Sequence, residues 1–457
     1  MPKFHRGSSI RQLALASLML AHCKTQTPAG SAQSATSPAK SDIAAPRKFV
    51  EVSGTTFTLG GHPFAFQGTN FYRLSLRDLK FTPSEVDDIM TKLSSAGLKV
   101  LRVWGFGCET PSTWTEEMLQ SSGSASLGPA ILDQHGQISE SALSYLDLVV
   151  AQAAKHDLKL IIPFVNFEPQ YCGMAWSVKV YGNPGESRQA FYCNQKVIHA
   201  YKGYLQTILN RKNTVSGIVY KDDPAIMDIE VANEPHTTDL YESGGAGPID
   251  AACKPFIDGK PGTLVNHWLG EMTTFVRSID HNHLISTGEE GYRVRGGDGR
   301  KNTWVFDGSK GVDFDRNIAL PNVSFATTHL YPDNWNVASS EFQSWFVPQV
   351  IQDRAKIAHA AGKPIIIEET GYATVEPADR SAFAVKVAAA GYAADRAKWL
   401  DKVYQAANQA GYAGTMIWQA VPNKADGTPY DTDSYTFSFK DPPMESIYRQ
   451  VKVMNGP

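Results

Sequence analysis

Polar and aromatic side chains that could carry chemistry stand at the ends of short apolar runs in this 457-residue chain. Two of them are glutamates: Glu234 lies in Val231-Ala-Asn-Glu-Pro235, and Glu369 lies in Ile367-Glu-Glu-Thr-Gly371. A carboxyl group can donate a proton, accept one or act as a nucleophile, depending on its surroundings. The other members of the set are Arg102, Trp104, Asn166, Asn233, His329, Tyr331 and Trp418.

Two carboxyl groups suffice to cleave a glycosidic bond, because one protonates the departing oxygen and the other acts on the far side of the anomeric carbon. We predict that Glu234 is the acid/base and Glu369 the nucleophile. We also predict the spacing of about 5 to 5.5 Å that accompanies retention of configuration. A nearby carboxylate raises the pKa of an acid, and Arg102 would favour the ionised nucleophile. Glu234 is therefore expected to have the higher pKa of the two.

Other carboxyl groups close to these two have structural interpretations. Asp228 and Glu230 precede Glu234 in one apolar run, and an inward carboxylate deep in a sheet is more often part of an ion pair than a catalyst. Strand alternation sends Glu368 and Glu369 to opposite faces, so one of them is expected to pack behind the site. His329 alone would more often be structural, but its position beside a strand end favours a functional role.

The candidate residues require a scaffold that brings separated strand ends together. Eight apolar runs alternate with helical patterns, which favours a (β/α)₈ TIM barrel, whose active site lies at the carboxyl ends of its strands. An open doubly wound sheet is the alternative, but Gly68-Thr-Asn-Phe-Tyr-Arg-Leu74 after the first run is no phosphate loop. The expected strands are 64–70, 98–104, 158–165, 226–233, 284–288, 324–330, 364–369 and 415–418.

Local signals support this alternation. Thr82-Pro-Ser-Glu85 has the form of a capping box with proline at the first helical position, and an apolar stripe follows it. A second helix is expected at 139–156. Before the barrel, 49–52 and 56–59 flank Ser53-Gly54, which predicts a β-hairpin that closes the barrel base.

Composition excludes several functions. The formal net charge is −3, and no long basic block is present, so nucleic acid is not an expected partner. No His-Glu-x-x-His occurs, and the pair His281 and His283 has no nearby trio of carboxylates, so we expect neither a metal nor any other cofactor. Aromatic residues make up 11% of the chain, which suits stacking on sugar rings, although most are expected in the core.

The amino terminus predicts export. Residues 1–23 have the charged start and short apolar run of a signal peptide, and Leu20-Ala-His-Cys23 is similar to a lipoprotein cleavage box in which His22 replaces a small residue. Cys23 is thus either a lipidated membrane tether or part of a removed signal. Residues 24–47 are expected to be a disordered linker, and 48–457 the catalytic domain. We expect a secreted, periplasmic or cell-surface protein.

Four further cysteines remain after Cys23, an even number for an oxidising compartment. We favour a disulfide between Cys172 and Cys193 that holds one long loop. Sequence leaves other pairings and buried free thiols open. The long segments 110–131 and 243–262 are expected to be loop elaborations that reshape the cleft.

The motifs Gly68-Thr-Asn70, Leu101-Arg-Val-Trp104, Val231-Ala-Asn-Glu-Pro235, Thr287-Gly-Glu-Glu-Gly291, Thr328-His-Leu-Tyr-Pro332 and Ile367-Glu-Glu-Thr-Gly371 occur in this order. In these motifs the chain resembles glycoside hydrolase family 5, and within it the endo-β-1,4-mannanases, over about residues 48 to 455. The resemblance implies that Arg102 and Tyr331 bracket the nucleophile Glu369. It also implies that Asn233 binds the sugar 2-hydroxyl, that His329 lies beside the cleavage point, and that Trp418 and Trp104 contact sugar.

Two positions depart from the family pattern. His236 stands where the family often has arginine, which affects how the leaving-group side is held, and Thr370 replaces a frequent aromatic residue beside the nucleophile. The resemblance implies hydrolysis of mannan, glucomannan or galactomannan at internal bonds. We expect the protein to be a monomer. The alternatives are a cellulase or another β-glucanase of the same family, and a surface glycan-binding protein on an inactive barrel.

Overall fold

The structure is a computed structural model that describes residues 48–76, 79–109, 130–169, 171, 173–237, 250–257, 259–295, 303–335, 337–373 and 396–456. These residues belong to one compact unit, Pro46–Pro457. The expected signal peptide, the linker and most of the 110–131 elaboration lie outside the described residues. Among the described helices, none combines the length and the apolar character needed to span a bilayer.

A small antiparallel sheet precedes the main one. Its strands are β1 (Val50–Ser53), β2 (Thr56–Leu59) and β3 (His62–Pro63), and Ser53 pairs with Thr56 across the turn. Phe57 is almost fully buried, and its ring meets Phe325 edge-on at 5.4 Å between centroids. The apolar cluster around Phe57 includes residues from or next to all eight barrel strands. The predicted hairpin that closes the barrel base is therefore confirmed.

Eight parallel strands form the main sheet. They are β4 (Phe66–Asn70), β5 (Val100–Arg102), β6 (Lys159–Pro163), β7 (Ile226–Glu230), β8 (Leu284–Ser286), β9 (Ala326–Leu330), β10 (Ile365–Thr370) and β11 (Gly414–Ile417). Their order is β8-β7-β6-β5-β4-β11-β10-β9, and every residue in them is buried. Ser324 joins the two edge strands, because its N–H donates to the Ile285 carbonyl at 2.8 Å. The sheet is a nearly closed (β/α)₈ barrel, and all eight predicted strands are confirmed.

Helices surround the barrel. The α-helices are α1 (Pro83–Ser95), α2 (Glu140–Lys155), α3 (Met174–Tyr181), α4 (Gln195–Leu209), α5 (Thr263–Ile279), α6 (Phe314–Ile318), α7 (Ser339–Glu341), α8 (Gln352–Ala360), α9 (Arg396–Ala410) and α10 (Met444–Asn455). The π-helical segment Phe342–Ile351 connects α7 to α8. The 3₁₀ helices are Tyr72–Ser75, Arg188–Tyr192, Tyr220–Asp222, Lys254–Phe256 and Thr303–Val305, and Ala420–Val421 pairs as β12 with Phe437–Ser438 as β13.

The helix signals in the sequence are also confirmed. At the start of α1 the Thr82 hydroxyl accepts from the Glu85 N–H, while the Glu85 carboxylate accepts from the Thr82 N–H. This reciprocal capping box satisfies two amide groups that the helix leaves without partners. The buried face of α1 contains Val86, Ile89 and Met90, and with the buried face of α2 it belongs to the main core between strands and helices.

The predicted disulfide between Cys172 and Cys193 is wrong. Cys193 ends a 3₁₀ helix and is bonded to Cys253, which is 60 residues away in sequence. Both sulfur atoms lie 3.5 Å from the Gln189 carbonyl oxygen, so the fold brings distant segments together at this point. Cys108 is disulfide-bonded as well, and Cys172 lies outside the described residues.

Candidate active site

A cleft of about 460 Å³ opens over the carboxyl ends of the barrel strands. Of the nine predicted site residues, seven line it: Trp104, Asn166, Asn233, Glu234, Tyr331, Glu369 and Trp418. The other two, Arg102 and His329, are fully buried directly beneath it. The structure thus brings the whole predicted set together at one end of the barrel.

Glu234 follows β7 and has a left-handed backbone conformation, with φ of 50°. Such a φ is uncommon for a residue with a side chain and is found more often at functional positions. The Glu234 N–H donates to the Gly288 carbonyl at 2.8 Å. Gly288 permits this approach, because a Cβ there would lie 1.9 Å from the Ala232 carbonyl oxygen. The backbone therefore directs Glu234 into the cleft, where its side chain is 19% exposed.

Glu369 lies within β10 and receives hydrogen bonds on both carboxylate oxygens. Arg102 Nη1 donates to Oε1 at 2.5 Å, and the Tyr331 hydroxyl donates to Oε2 at 2.8 Å. Arg102 and Tyr331 therefore bracket Glu369, as the resemblance implied. Next to it, Thr370 donates from its hydroxyl to the Leu330 carbonyl at 2.7 Å, which ties β10 to β9 where the family pattern has an aromatic residue.

The expectation that Glu368 and Glu369 point to opposite faces is wrong. The register between β9 and β10 shifts between Ile367 and Glu369, so simple alternation fails at this point. As a result, both carboxylates approach Arg102 and His329. Glu368 is the deeper of the two and has no exposed surface, so it does pack behind the site.

Arg102 is the central cation of the barrel interior. Its Nε and Nη2 donate to the two carboxylate oxygens of Glu230 at 2.9 and 2.7 Å, which confirms the structural ion pair expected for Glu230. Nη2 also donates to Asn233 Oδ1 at 2.6 Å. Asn233 in turn donates from Nδ2 to Asn166 Oδ1 at 2.9 Å. These bonds fix the orientation of both asparagine amides at the cleft floor.

His329 lies between the two predicted catalytic glutamates. Its Nδ1 is 2.7 Å from Glu234 Oε1 and 3.5 Å from Glu369 Oε2. Burial alone would lower the pKa of His329, but Glu369, Glu234 and Glu368 together raise that pKa well above its usual value. The imidazole is therefore held as a cation near neutral pH, close to both carboxylates.

This cation reverses the pKa order that the sequence suggested. Burial would raise the pKa of Glu234, but the hydrogen bond and the charge of His329 outweigh burial and hold that pKa below its usual range. Burial raises the pKa of Glu369, and His329 and Arg102 offset this effect only in part. The expected order, with the pKa of Glu234 above that of Glu369, is thus wrong, because the imidazole lies nearer to Glu234.

Among the residues that the structure describes, two groups of side chains have the spacing to hold a cation: Glu234, His329 and Glu369 in one, and Asp228, Glu230 and Glu368 in the other. In each group positive protein charges are already in place, because Arg102 binds oxygen atoms of Glu230 and Glu369. Burial raises the pKa of Asp228 well above its usual value and raises that of Glu230 to about 8, although Arg102 opposes the shift at Glu230. The donor set suits proton sharing better than a divalent ion.

An aromatic cluster forms one side of the cleft. Trp418 stacks on Tyr72 at 4.9 Å between ring centroids with an interplanar angle of 17°. Trp104 lies 4.6 Å from Tyr72 and meets Tyr171 edge-on at 5.2 Å. The Trp418 indole N–H donates to Asp433 at 2.9 Å, which fixes the plane of the ring. Trp104 and Trp418 therefore present aromatic surface to the cleft, as predicted.

A second aromatic cluster, which the sequence did not indicate, lies on the Glu234 side. Trp304 is 5.6 Å from Tyr292 and 5.3 Å from Trp335 between ring centroids, and all three line the cleft. Tyr292 donates from its hydroxyl to Glu290, whose pKa burial and Glu234 raise well above the usual value. Tyr292 and Trp335 follow predicted strand ends by a few residues, which was the available signal. The remaining unpredicted lining residues include Tyr72, Tyr171, Lys310, Asn334 and Tyr435.

His236, which replaces the frequent arginine, is held within the wall. Its ring is 3.4 Å from the Phe167 ring centroid, and its Nε2 is 3.8 Å from Glu168. Burial lowers the pKa of His236 despite the opposing effect of Glu168. A neutral, buried imidazole has neither the reach nor the charge of an arginine, so His236 does not supply the cation that the family pattern often has at this position.

A parallel eight-stranded barrel with glutamates at the ends of its fourth and seventh strands is the arrangement of a two-carboxylate glycoside hydrolase. Residues 47–448 match the model of a family described as GH family 5 beta-mannosidase-like. The chain belongs to this family of glycoside hydrolases.

Individual relatives agree with this assignment. The mannan endo-1,4-beta-mannosidase A of Podospora anserina is 32% identical over 327 residues, which cover 70% of this chain and 73% of that protein. A probable mannan endo-1,4-beta-mannosidase A of Aspergillus oryzae is 29% identical and covers 93% of each chain. The crystal structure of the endo-1,4-beta-mannanase from Rhizomucor miehei superimposes with a TM-score of 0.68 at 29% identity, covering 89% of this chain and 99% of that one.

Proposed function

We propose that the protein is a retaining endo-β-1,4-mannanase, which cleaves internal bonds of mannan, glucomannan or galactomannan. The observation that carries the proposal is the pair of glutamates at one imidazole: the side chains of Glu234, His329 and Glu369 each place an oxygen or nitrogen atom within 4.8 Å of the others. This separation supports the shorter carboxylate spacing, about 5 to 5.5 Å, of retaining enzymes. The mannan-cleaving relatives support the substrate class.

In the first step, a Glu369 carboxylate oxygen attacks the anomeric carbon while Glu234 protonates the departing glycosidic oxygen. Arg102 and the Tyr331 hydroxyl hold Glu369 in position with their hydrogen bonds. In the second step, Glu234 removes a proton from water, and the resulting hydroxide displaces Glu369 from the sugar. Asn233, whose Nδ2 and Oδ1 are fixed by Asn166 and Arg102, is placed to bind the 2-hydroxyl of the reacting sugar.

The arrangement of aromatic residues supports attack at internal bonds. One cluster, with Trp104 and Trp418, lies near Glu369, since the Trp418 backbone N–H donates to the Thr370 carbonyl. The other, with Trp304 and Trp335, includes Tyr292, whose hydroxyl donates to Glu290 beside Glu234. Aromatic faces stack on the apolar faces of sugar rings. A chain that contacts both clusters extends past the scissile bond in both directions, which is the requirement for endo action.

The test is reducing-sugar release from glucomannan, galactomannan and carboxymethyl-cellulose by the wild type, Glu234→Gln and Glu369→Gln. We expect mannan activity in the wild type and a loss of at least about 10³-fold in each variant, since each removes an essential proton donor or nucleophile. Glu289→Gln is the matched control, because Glu289 is a buried glutamate bonded to Thr287 and Asn317 outside the cleft. It should retain activity.

Each alternative function predicts a different result. Carboxymethyl-cellulose activity above galactomannan activity would identify a β-glucanase. A wild type that binds mannan but releases no reducing ends would identify a glycan-binding protein. Activity that survives either Gln substitution would mean that the carboxylate pair is misassigned.

We infer that the protein is exported and works as a monomer, secreted or held at a membrane through Cys23. The disulfide between Cys193 and Cys253 supports an oxidising compartment. Fractionation of cells that express the wild type and Cys23→Ala distinguishes lipid attachment from secretion, and light scattering gives the oligomeric state. A chain without residues 1–47 should retain folding and mannan activity; its failure to fold would show that the domain boundary is wrong.

A further inference from the structure

Glu368 contacts the imidazole of His329 from the side opposite Glu234. Its Oε2 is 3.1 Å from His329 Nε2, while Glu234 Oε1 is 2.7 Å from Nδ1. Glu368 has no exposed surface and does not line the cleft, so it cannot touch the substrate. The three side chains form a row in which each nitrogen of the imidazole faces one carboxyl group.

The partner of one imidazole nitrogen determines which nitrogen carries a proton. Glu368 Oε2 lies at hydrogen-bond distance from His329 Nε2, and the Arg102 guanidinium lies 3.9 Å from Oε1, so Glu368 is positioned to accept a hydrogen bond from the imidazole. His329 Nε2 therefore carries a hydrogen that points to Glu368. A second proton lies in the hydrogen bond between His329 Nδ1 and Glu234 Oε1, where it is bound either to the nitrogen or to the oxygen.

We propose that Glu368 is a positioning residue that keeps the proton needed for leaving-group departure on the hydrogen bond between His329 and Glu234. The inference rests on the proposed function of Glu234 as the acid. When the glycosidic bond breaks, the proton passes from Glu234 to the departing oxygen, and water returns it in the second step. His329 and Glu368 do not touch the sugar, and they control only where the proton lies before transfer.

Loss of Glu368 should release the imidazole from this constraint. A neutral His329 could then carry its single hydrogen on Nδ1, with Nε2 bare. This Nδ1–H donates to the Glu234 carboxylate and so favours the ionised form of Glu234. The row of side chains then contains one proton fewer than in the wild type. As the pH rises, Glu234 would then lose its proton, and with it the ability to act as an acid, at a lower pH than in the wild type.

Such a variant keeps the other charged and titratable groups around this row, but Glu368 also acts electrostatically on Arg102, Asp228 and Glu230. The aryl substrate and the control variant therefore have to separate the effect on Glu234 from a general change of charge. The groups around the row lie on β5, β7 and β10 and on the segments that follow β7 and β8: Arg102, Asp228, Glu230, His236, Glu290, Lys310 and Glu369.

The experiment compares wild type, Glu368→Leu, Glu368→Gln and the control Glu289→Gln across pH. One substrate is a manno-oligosaccharide, whose leaving group needs a proton, and the other is a dinitrophenyl β-mannobioside, whose leaving group does not. For Glu368→Leu we expect the alkaline limb of kcat/KM on the oligosaccharide to move down by about one pH unit or more. Activity on the aryl substrate should change less than about twofold, since nucleophilic attack is intact.

Glu368→Gln retains the size and a hydrogen-bonding group of the glutamate, so it should fold and show a smaller shift in the same direction. The ¹⁵N NMR signals of the His329 ring report the tautomer directly: protonated Nε2 is expected in the wild type and in Glu289→Gln, and protonated Nδ1 with bare Nε2 at alkaline pH in Glu368→Leu.

Three results would overturn the inference: an alkaline limb that stays in place in both folded Glu368 variants, equal losses on the two substrates, or an unprotonated Nε2 in the wild type. Failure of the proposed function is recognised separately, because then the wild type would not cleave the oligosaccharide, or Glu234→Gln would cleave it normally.

Discussion

Tyr331→Phe removes a single hydrogen bond from the predicted nucleophile and leaves the rest of the site in place. The hydroxyl of Tyr331 donates to Glu369 Oε2 at 2.8 Å, and the ring meets Tyr435 edge-on at 5.4 Å between centroids. Phenylalanine retains the ring contact. The substitution thus isolates the effect of the hydroxyl on the ionisation of Glu369.

The expected shift follows from the strength of this bond. A hydrogen bond to a charged group contributes about 1.5–3 kcal/mol, and one pKa unit corresponds to about 1.36 kcal/mol. The bond stabilises the ionised form of Glu369, whose pKa burial already raises, so its loss should raise that pKa by about one to two further units. Only ionised Glu369 attacks the sugar, and therefore the acidic limb of kcat/KM should move to higher pH by the same amount.

The assay is kcat/KM on a soluble manno-oligosaccharide across pH for wild type, Tyr331→Phe and Tyr404→Phe. Tyr404 is a buried tyrosine whose hydroxyl lies near Gln67, and it does not line the cleft, so its variant controls for the loss of a buried hydroxyl. An acidic limb that Tyr331→Phe leaves unmoved, or that both variants move equally, would refute the reasoning.

Three further predictions concern the scaffold. Phe57→Ala should lower the free energy of unfolding by about 3–5 kcal/mol in urea denaturation, with kcat unchanged, because Phe57 fills the barrel base. Replacing both Cys193 and Cys253 by serine should lower it by about 2–4 kcal/mol, measured in the same way. Asp228→Asn should stabilise the protein at neutral pH but not near pH 4, which is about the pKa of an aspartate in the unfolded chain. Burial raises the pKa of Asp228 in the folded protein, so Asp228 destabilises the fold increasingly as the pH rises above about 4. Denaturation at both pH values, with mannanase activity as the control, tests this.

Much of the fold could be predicted because its signals are local. The continuous apolar runs became buried strands, and Thr82-Pro-Ser-Glu85 became a capping box, since each depends on residues a few positions apart. The site could be predicted for a related reason. The carboxyl ends of all the strands meet at one end of a barrel, and the sequence shows polar residues at the ends of the apolar runs.

The remaining features depend on distances that no local pattern contains. The partner of Cys193 is 60 residues away, and neither spacing nor composition distinguishes Cys253 from Cys172. The side chain of Glu368 lies beside that of Glu369 because of an irregularity in the pairing of β9 with β10. The aromatic cluster of Tyr292, Trp304 and Trp335 comes from three separate segments, each of which contributes one ring.

The reversed pKa order of the two glutamates has a consequence for how the reaction begins. An acid that is ionised beside a protonated imidazole must recover its proton before it can protonate a leaving group. In this site the nearest proton donor is His329, whose Nδ1 is 2.7 Å from Glu234 Oε1. A sugar bound over Glu234 removes water and brings an oxygen atom that accepts a hydrogen bond, and both changes favour the neutral acid over the ion pair. Substrate binding is thus coupled to the protonation of Glu234 through the hydrogen bond between Glu234 and His329 Nδ1. Glu368 holds the same imidazole through its other nitrogen, Nε2.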